Sequence, residues 1–154
     1  MATQFDTESK EGTIDTRLWL EEHDWLYALL KSEKNMSPTF RFPDLISACV
    51  SIVFAHPDAS QRIFDFLGAD LVLRHRHNPR RHVSMWLAQY DLLLKLQHSP
   101  ANRHPHPNFQ LDQLTTACVA LSRLSDASGE RVLRQARVNM ASRFTRKKEV
   151  PLNS

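Results

Sequence analysis

Two short segments alternate apolar and polar residues and carry side chains that can hydrogen-bond to nucleobases. The first is TFRF at 39–42 and the second is NFQL at 108–111. Because alternate residues of a strand face opposite sides, both segments are predicted as strands with one apolar and one polar face. Arginine bonds well to guanine, and glutamine or asparagine bonds to adenine, so the polar faces can read bases if the strands form a ribbon; the alternative is that they are ordinary solvated strand residues. The predicted base-reading residues are Thr39, Arg41, Asn108 and Gln110.

A second set of polar residues is predicted where later helices begin. The tripeptide Asp-Ala-Ser occurs at 58–60 and at 126–128, and serine is a good helix N-cap. Free backbone N–H groups and the helix dipole make such a terminus a site for phosphate. A basic C-terminal run adds non-specific attraction to a polyanion. The predicted phosphate contacts are Ser60, Gln61, Ser128, Gly129, Arg146, Lys147 and Lys148.

Other residue types are assigned no catalytic or metal role. The linker histidines form two His-x-His pairs, but no cysteine or carboxylate cluster accompanies them, so no metal site is predicted. Cys49 and Cys118 occupy equivalent apolar helix positions, so we expect buried thiols that lie near each other. Trp19, Trp25 and Trp86 are predicted core anchors. We therefore expect no enzyme, no cofactor and no small-molecule substrate.

An internal repeat positions these residues. Residues 37–74 align with 106–143 at a constant offset of 69, with eight identical positions that include a shared Ala-Cys-Val. Upstream, Trp19-Leu20 aligns with Trp86-Leu87 at an offset of 67. Because these identities keep the same order in both copies, duplication explains them better than chance does.

Each copy is predicted as helix, strand, helix and helix. The first helices are predicted at 16–31 and 84–97, where apolar residues recur at helical spacing. A proline-marked linker leads into the alternating strand, which runs directly into a second helix, and a serine caps the third. The segment RHRHNPRRH at 74–82 is predicted as a solvated connector between the copies.

The repeated unit resembles the ribbon–helix–helix (RHH) superfamily of DNA-binding proteins. In FRFPDLISACVSIVFAHPDASQRIF, an alternating strand runs through a proline into a helix, and a serine opens the next helix. The second copy, FQLDQLTTACVALSRLSDASGERVL, departs from this pattern at Asp112, which replaces the proline, and at the polar Gln135. Two motifs in one chain resemble the single-chain tandem RHH form of T-DNA and plasmid-transfer accessory proteins. The resemblance covers about half of the chain.

The resemblance implies an intrachain two-stranded antiparallel ribbon that enters the major groove of double-stranded DNA. It implies a monomer that acts as a single-chain pseudo-dimer at an origin of transfer or a T-DNA border, beside a relaxase or another transfer protein. A plasmid transcription regulator is equally compatible with the residues. Because TFRF and NFQL differ, we expect an asymmetric target sequence. The alternative is a helical protein–protein adaptor without DNA binding, which Asp112 and Asp126 favour.

Composition and charge agree with a globular protein that has a polyanionic partner. The chain has 20 Lys and Arg against 17 Asp and Glu, and the acidic charges concentrate within residues 1–35. Three glycines argue against a P-loop or a dinucleotide-binding fingerprint. The apolar runs are too short for a membrane span, the N-terminus does not resemble a signal peptide, and two cysteines suit a reducing compartment. We therefore expect a cytoplasmic protein without membrane contact.

The predicted fold class is α+β, mostly α. Two tandem helix–strand–helix–helix repeats are expected to form one pseudo-twofold RHH domain at 15–143, with repeat one at 16–74 and repeat two at 84–143. An acidic N-terminal tail at 1–14 and a basic C-terminal tail at 144–154 are expected to be disordered.

Overall fold

The computed structural model describes residues 12–74, 78–104 and 107–153, with side chains as far as residue 145. Short 3-10 turns lie at Leu71–Leu73 and Pro100–Asn102. Along the described chain the strands and α-helices are β1 (Thr13–Trp19), α1 (Leu20–Leu30), α2 (Phe42–Phe54), α3 (Ala59–Ala69), β2 (Arg80–Trp86), α4 (Leu87–Gln97), α5 (Leu111–Ser125) and α6 (Glu130–Asn153).

The two strands form an antiparallel ribbon. Its register runs from Thr13 opposite Trp86 to Trp19 opposite Arg80, with Thr16 opposite Val83 at the centre. The central pair is separated by 67 residues, the offset that also aligns the two tryptophans of the repeat. Equivalent residues of the two halves therefore meet at the middle of the ribbon, which gives it a local twofold relation.

The predicted order of helix, strand, helix and helix is wrong, because each half of the chain runs strand, helix, helix and helix. The segments at 39–42 and 108–111 are not strands. Arg41 and Gln110 have extended backbone angles, but they are the N-cap residues of α2 and α5, whose first turns begin at the next residue. What holds of the predicted fold class is that the described residues are mostly helical and form one two-stranded antiparallel sheet.

The strands lie where the sequence predicts helix or linker. Strand β1 occupies the start of the helix predicted at 16–31, and β2 covers the end of the connector predicted at 74–82. Trp19 and Trp86 are extended residues that act directly as N-caps of α1 and α4, so no turn residue separates strand from helix. Because no Gly or Pro marks that junction in the sequence, the helix predicted from apolar spacing begins too early and includes strand residues.

Each alternating segment is instead part of a loop that is held by a buried asparagine. Asn35 Nδ2 donates to the last carbonyl of α1 and to Phe40 O at 3.0 Å each, and Phe40 N–H donates to Asn35 Oδ1 at 2.8 Å. Asn102 makes the matching bonds to the end of α4 and to Phe109, at 2.9 to 3.0 Å. The phenylalanine rings are buried, as the alternation predicts. The backbone, however, pairs with a side-chain amide rather than with another strand.

Replacing Asn35 or Asn102 with alanine is expected to lower the free energy of unfolding by about 2–4 kcal/mol, because a buried N–H and a buried C=O lose their partner. Urea unfolding followed by tryptophan fluorescence measures this loss. Gln61→Ala, at an exposed position of α3, serves as the control and should change stability by less than about 0.5 kcal/mol. Losses of this small size at both asparagines would show that other contacts hold the loops.

The core lies between the ribbon and helices α2 and α5, and it includes Leu18 and Met85 from the inner side of the ribbon. Cys49 and Cys118 are fully buried free thiols, which confirms their predicted core role. Burial raises the pKa of Cys49 to about 12 and also raises the pKa of Cys118. Ser122 Oγ contacts the carbonyl oxygens of both cysteines, at 3.2 and 2.9 Å, so the two thiols lie on facing helices as expected.

The ends of the described chain differ from the predicted domain bounds. Strand β1 begins at Thr13, within the predicted N-terminal tail, and residues 1–11 lie outside the described part. Helix α6 continues to Asn153, across the segment predicted as a basic tail. The described helices include none that is long and apolar enough to cross a membrane. The predicted phosphate contacts whose side chains lie outside the described part are Arg146, Lys147 and Lys148.

Candidate nucleic-acid interface

The outer side of the ribbon carries two cross-strand pairs of polar residues, which we call the ribbon face. Arg17 lies opposite His82, and Asp15 lies opposite Ser84. Ser84 is half-buried and the other three are exposed. Directly opposite residues of antiparallel strands have Cβ atoms about 5 Å apart, so the four side chains form one continuous patch.

The N-termini of α2 and α5 lie at the two ends of the ribbon. The backbone N–H of Trp86 donates to Ser47 Oγ in α2 at 2.9 Å, and that of Trp19 donates to Thr116 Oγ1 in α5 at 3.2 Å. Ser47 and Thr116 are equivalent residues of the repeat, so both ends are built alike. Each strand is therefore bonded to a helix from the other half of the chain.

The residues predicted to read bases lie beside the ribbon rather than on it. Arg41 and Gln110 are exposed at the first turns of α2 and α5, and Thr39 and Asn108 are exposed in the loops that precede those turns. Gln110 lines a depression of about 400 Å³ together with Arg17 and other ribbon residues. A helix N-terminus at this position suits contact with phosphate better than contact with a base edge.

An arginine pairs with the carboxylate near the start of α5. Asp112 Oδ2 accepts from Arg80 Nε at 2.8 Å and from Trp19 Nε1 at 3.3 Å. The guanidinium carbon of Arg80 lies 4.3 Å from the centre of the Trp19 ring. This cluster anchors one ribbon end on the helix and balances a negative charge that would otherwise repel phosphate.

A matching cluster at the start of α2 is built from different elements. Asp44 Oδ1 accepts from Trp86 Nε1 at 2.7 Å and from Arg143 Nη2 at 3.2 Å. The Arg143 guanidinium lies 4.0 Å from the centre of the Trp86 ring. The arginine of this cluster, Arg143, comes from α6, whereas the arginine at the start of α5 comes from β2. The predicted anchoring role of these two tryptophans thus takes the form of attaching the ribbon to the helix ends.

The other predicted phosphate contacts lie at the far ends of α2 and α5. Ser60 and Gln61 come after α2, and Ser128 and Gly129 come after α5. Helix α5 has 15 residues and is therefore about 22 Å long. Because its N-terminus is at the ribbon, its C-terminal end lies about one helix length away. Ser60 is also not the N-cap of α3, since Asp58 occupies that position.

The N-terminus of α6 already holds a carboxylate. Asp126 accepts from Ser128 Oγ at 2.6 Å, from the Ser128 N–H at 3.1 Å and from the Arg131 N–H at 3.0 Å. The hydrogen bond from Ser128 Oγ, followed by that from the Arg131 N–H, lowers the pKa of Asp126 from its ordinary value of 3.8. Ser128 Oγ also accepts from the Glu130 N–H at 3.3 Å, so the serine bonds one N–H of the first turn, although Gly129 is the residue that directly precedes the helix. A phosphate here would meet a negative charge rather than free N–H groups.

Replacing Asp126 with asparagine is expected to reduce the loss of stability in acid. Because its pKa is lower in the folded state, Asp126 stabilises the fold above about pH 4, and this contribution is lost as the pH falls through the folded-state pKa. Urea unfolding between about pH 5 and pH 2 should therefore show a shallower decline for Asp126→Asn than for the natural chain. Asp58 makes no side-chain capping bond, so Asp58→Asn should keep the natural decline. Three equal declines would contradict this account.

The ribbon face combines hydrogen-bond donors and acceptors. Among the described residues, no group of three or more His, Cys, Asp or Glu side chains could hold a metal ion. No protein-family model, curated protein or solved structure matches this chain. The signal that could have indicated the ribbon face is the alternation in TIDTRLW at 13–19, where Asp15 and Arg17 stand between apolar or β-branched residues.

Proposed function

We propose that this chain binds double-stranded DNA by placing the β1–β2 ribbon in the major groove. The observation that carries the proposal is the polar ribbon face on a ribbon whose ends are bonded to two helices. A two-stranded ribbon fits the major groove, where the base edges distinguish every base pair. An isolated two-stranded ribbon is marginal in water. Here the inner face packs on the core, so the outer face is supported for recognition.

Arg17 is the residue that we expect to contribute most to base readout. Its guanidinium can donate two hydrogen bonds to O6 and N7 of guanine, and Asp15 can accept one from the amino group of cytosine. At the equivalent positions of β2, which lie 67 residues later, stand His82 and Ser84. Because the two strands present different side chains, the proposed target sequence is asymmetric.

Phosphates are proposed to bind at the N-termini of α2 and α5, on either side of the ribbon. The helix dipole attracts an anion there. Arg41 adds a positive charge at the first terminus, and Gln110 adds a neutral donor at the second. Such contacts position the duplex, while the ribbon face supplies the sequence preference.

The biological role is proposed from the RHH resemblance, whose order of strand, helix and helix occurs at β1, α1 and α2 and at β2, α4 and α5 rather than in the segments 37–74 and 106–143. We infer a monomeric accessory factor for plasmid or T-DNA transfer that acts beside a relaxase or another transfer protein, or a transcription regulator. The proposal is a binding protein rather than an enzyme, with neither a cofactor nor a membrane partner. A cytoplasmic location belongs to the same proposal, because two free thiols suit a reducing compartment.

A salt-dependent titration tests the proposal. The full chain is titrated with a short random-sequence duplex and with a single strand of the same length. We expect duplex binding that strengthens as the salt concentration falls and that survives alanine substitution of Arg146, Lys147 and Lys148. Binding lost with these three substitutions would assign the contact to the end of α6. No binding at low salt would favour the protein–protein adaptor. The acidic Asp15 on the ribbon face is the observation that supports this alternative.

A further inference from the structure

A groove on the second half of the chain lies where residues 1–11 join the described structure. It has a volume of about 710 Å³ and lies between the start of α4 and the middle of α6. Trp86 and Leu87 line one wall and Val138 lines the other, with 55% of the valine exposed. The Leu87 N–H donates to Gly12 O at 2.9 Å, which places the chain that precedes β1 at the edge of the groove.

The first half of the chain shows what lies along the equivalent surface. The Leu20 N–H donates to Pro79 O at 3.0 Å, and this pair corresponds to Leu87 and Gly12 at the repeat offset of 67. The depression beside Leu20 has a volume of about 230 Å³, and its walls include Asn78 and Pro79. The segment that enters β2 therefore forms part of the wall of this depression in the first half.

We propose that residues 1–11 of this chain dock in the groove between α4 and α6. The repeat places the segment that enters β1 at this groove, as the segment that enters β2 is placed at the other. The seven residue-to-residue steps from Phe5 to Gly12 can span about 23 Å when extended, so the Phe5 ring can reach the groove. Phe5 against Val138 would bury apolar surface that is open to solvent without the segment.

Charge favours the same occupant. Residues 1–11 hold three acidic side chains and one lysine, so their side chains are net negative. The groove is lined by Arg143, and the sequence of α6 from Arg131 to Lys148 has no acidic residue. In the first half, Arg74 lines the smaller depression together with Glu21 and Asp24. An acidic segment in the second groove would give it the same combination of charges.

A thiol introduced at the groove wall tests the docking. The two native cysteines are fully buried, so the new thiol of Val138→Cys is the accessible one. In the full chain its labelling by a water-soluble maleimide is expected to be at least about tenfold slower than when residues 1–11 are replaced by a glycine–serine segment of equal length. Phe5→Ala in the full chain should restore most of the labelling rate.

Val72→Cys is the matched control, because Val72 is 50% exposed and lies in the first half, outside the groove. Its labelling rate should be equal in the two chains. Equal rates for Val138→Cys would overturn the proposal. Protection that persists with the glycine–serine segment and grows with protein concentration would assign the groove to a second copy and would also overturn it. No DNA is present, so this outcome is independent of the proposed function.

Discussion

Replacing Arg17 with alanine is expected to weaken binding to a preferred duplex by about 5- to 150-fold, which corresponds to the roughly 1–3 kcal/mol of a good bidentate base contact. Arg17 is exposed near the middle of the ribbon face, opposite His82. The substitution removes both a guanine contact and a positive charge from the centre of the proposed interface. Because the side chain is exposed, the fold should tolerate the change.

Two further variants separate base readout from charge. Arg81→Ala removes the same charge from an exposed residue of β2 that lies opposite the inward-facing Leu18. It should weaken binding to every duplex sequence by about the same factor, and by less than Arg17→Ala weakens binding to the preferred duplex. Arg17→Lys keeps the charge but cannot form the bidentate contact, so it should retain non-specific binding and lose sequence preference. Titrations of each of the three variants with the preferred and with a shuffled duplex, at one salt concentration, measure these effects. Equal effects of Arg17→Ala and Arg81→Ala on both duplexes would refute base readout.

Replacing Glu22 with alanine is expected to lower the free energy of unfolding by about 3–5 kcal/mol, because it removes the buried carboxylate that bonds both Nη atoms of Arg74 and leaves only the exposed Asp70, at 2.9 Å from Nε, and Glu21 beside a largely buried charge. Glu22 is 1% exposed, and its two carboxylate oxygens accept from Arg74 Nη1 and Nη2 at 2.6 and 2.7 Å. The hydrogen bond to Glu22 is the main cause that raises the pKa of Arg74. The arginine side chain is 12% exposed, so water cannot fully replace the lost carboxylate.

The neighbouring Glu21 provides a matched control. Its carboxylate lies 3.8 Å from Arg74 Nη1, but the side chain is 63% exposed, so Glu21→Ala should lower stability by less than about 1 kcal/mol. Replacing both Glu22 and Arg74 with methionine should recover much of the loss, because no charge then remains buried. Urea unfolding measures each variant. A loss for Glu22→Ala no larger than that for Glu21→Ala would show that the pair contributes little to folding.

The sequence contained the repeat and the buried positions, but not the location of the proposed site. None of the ribbon-face residues is predicted as a contact from the sequence, since Arg17 falls in a predicted helix and His82 in a predicted linker. The predicted contacts at Arg41 and Gln110 do lie beside the ribbon, but at helix termini. The contacts predicted at Ser60 and Ser128 lie about one helix length from it. The preference of serine for helix N-termini predicts where a helix begins. It does not predict which surface of the folded protein that N-terminus faces.

Local pattern alone determined the burial of Phe40 and Phe109, the core thiols at Cys49 and Cys118, and the duplication that relates them. These features depend on apolar periodicity and on identities between the two copies, both of which can be read directly from the chain. The tertiary structure decided which segments are strands, because β1 finds its partner about 67 residues later in β2. A strand is stabilised by hydrogen bonds to another strand, whereas in the segment 39–42 the backbone of Phe40 bonds to the side chain of Asn35 instead. The choice between two alternating segments was therefore made by distant partners, and the polar face available for recognition followed from that choice.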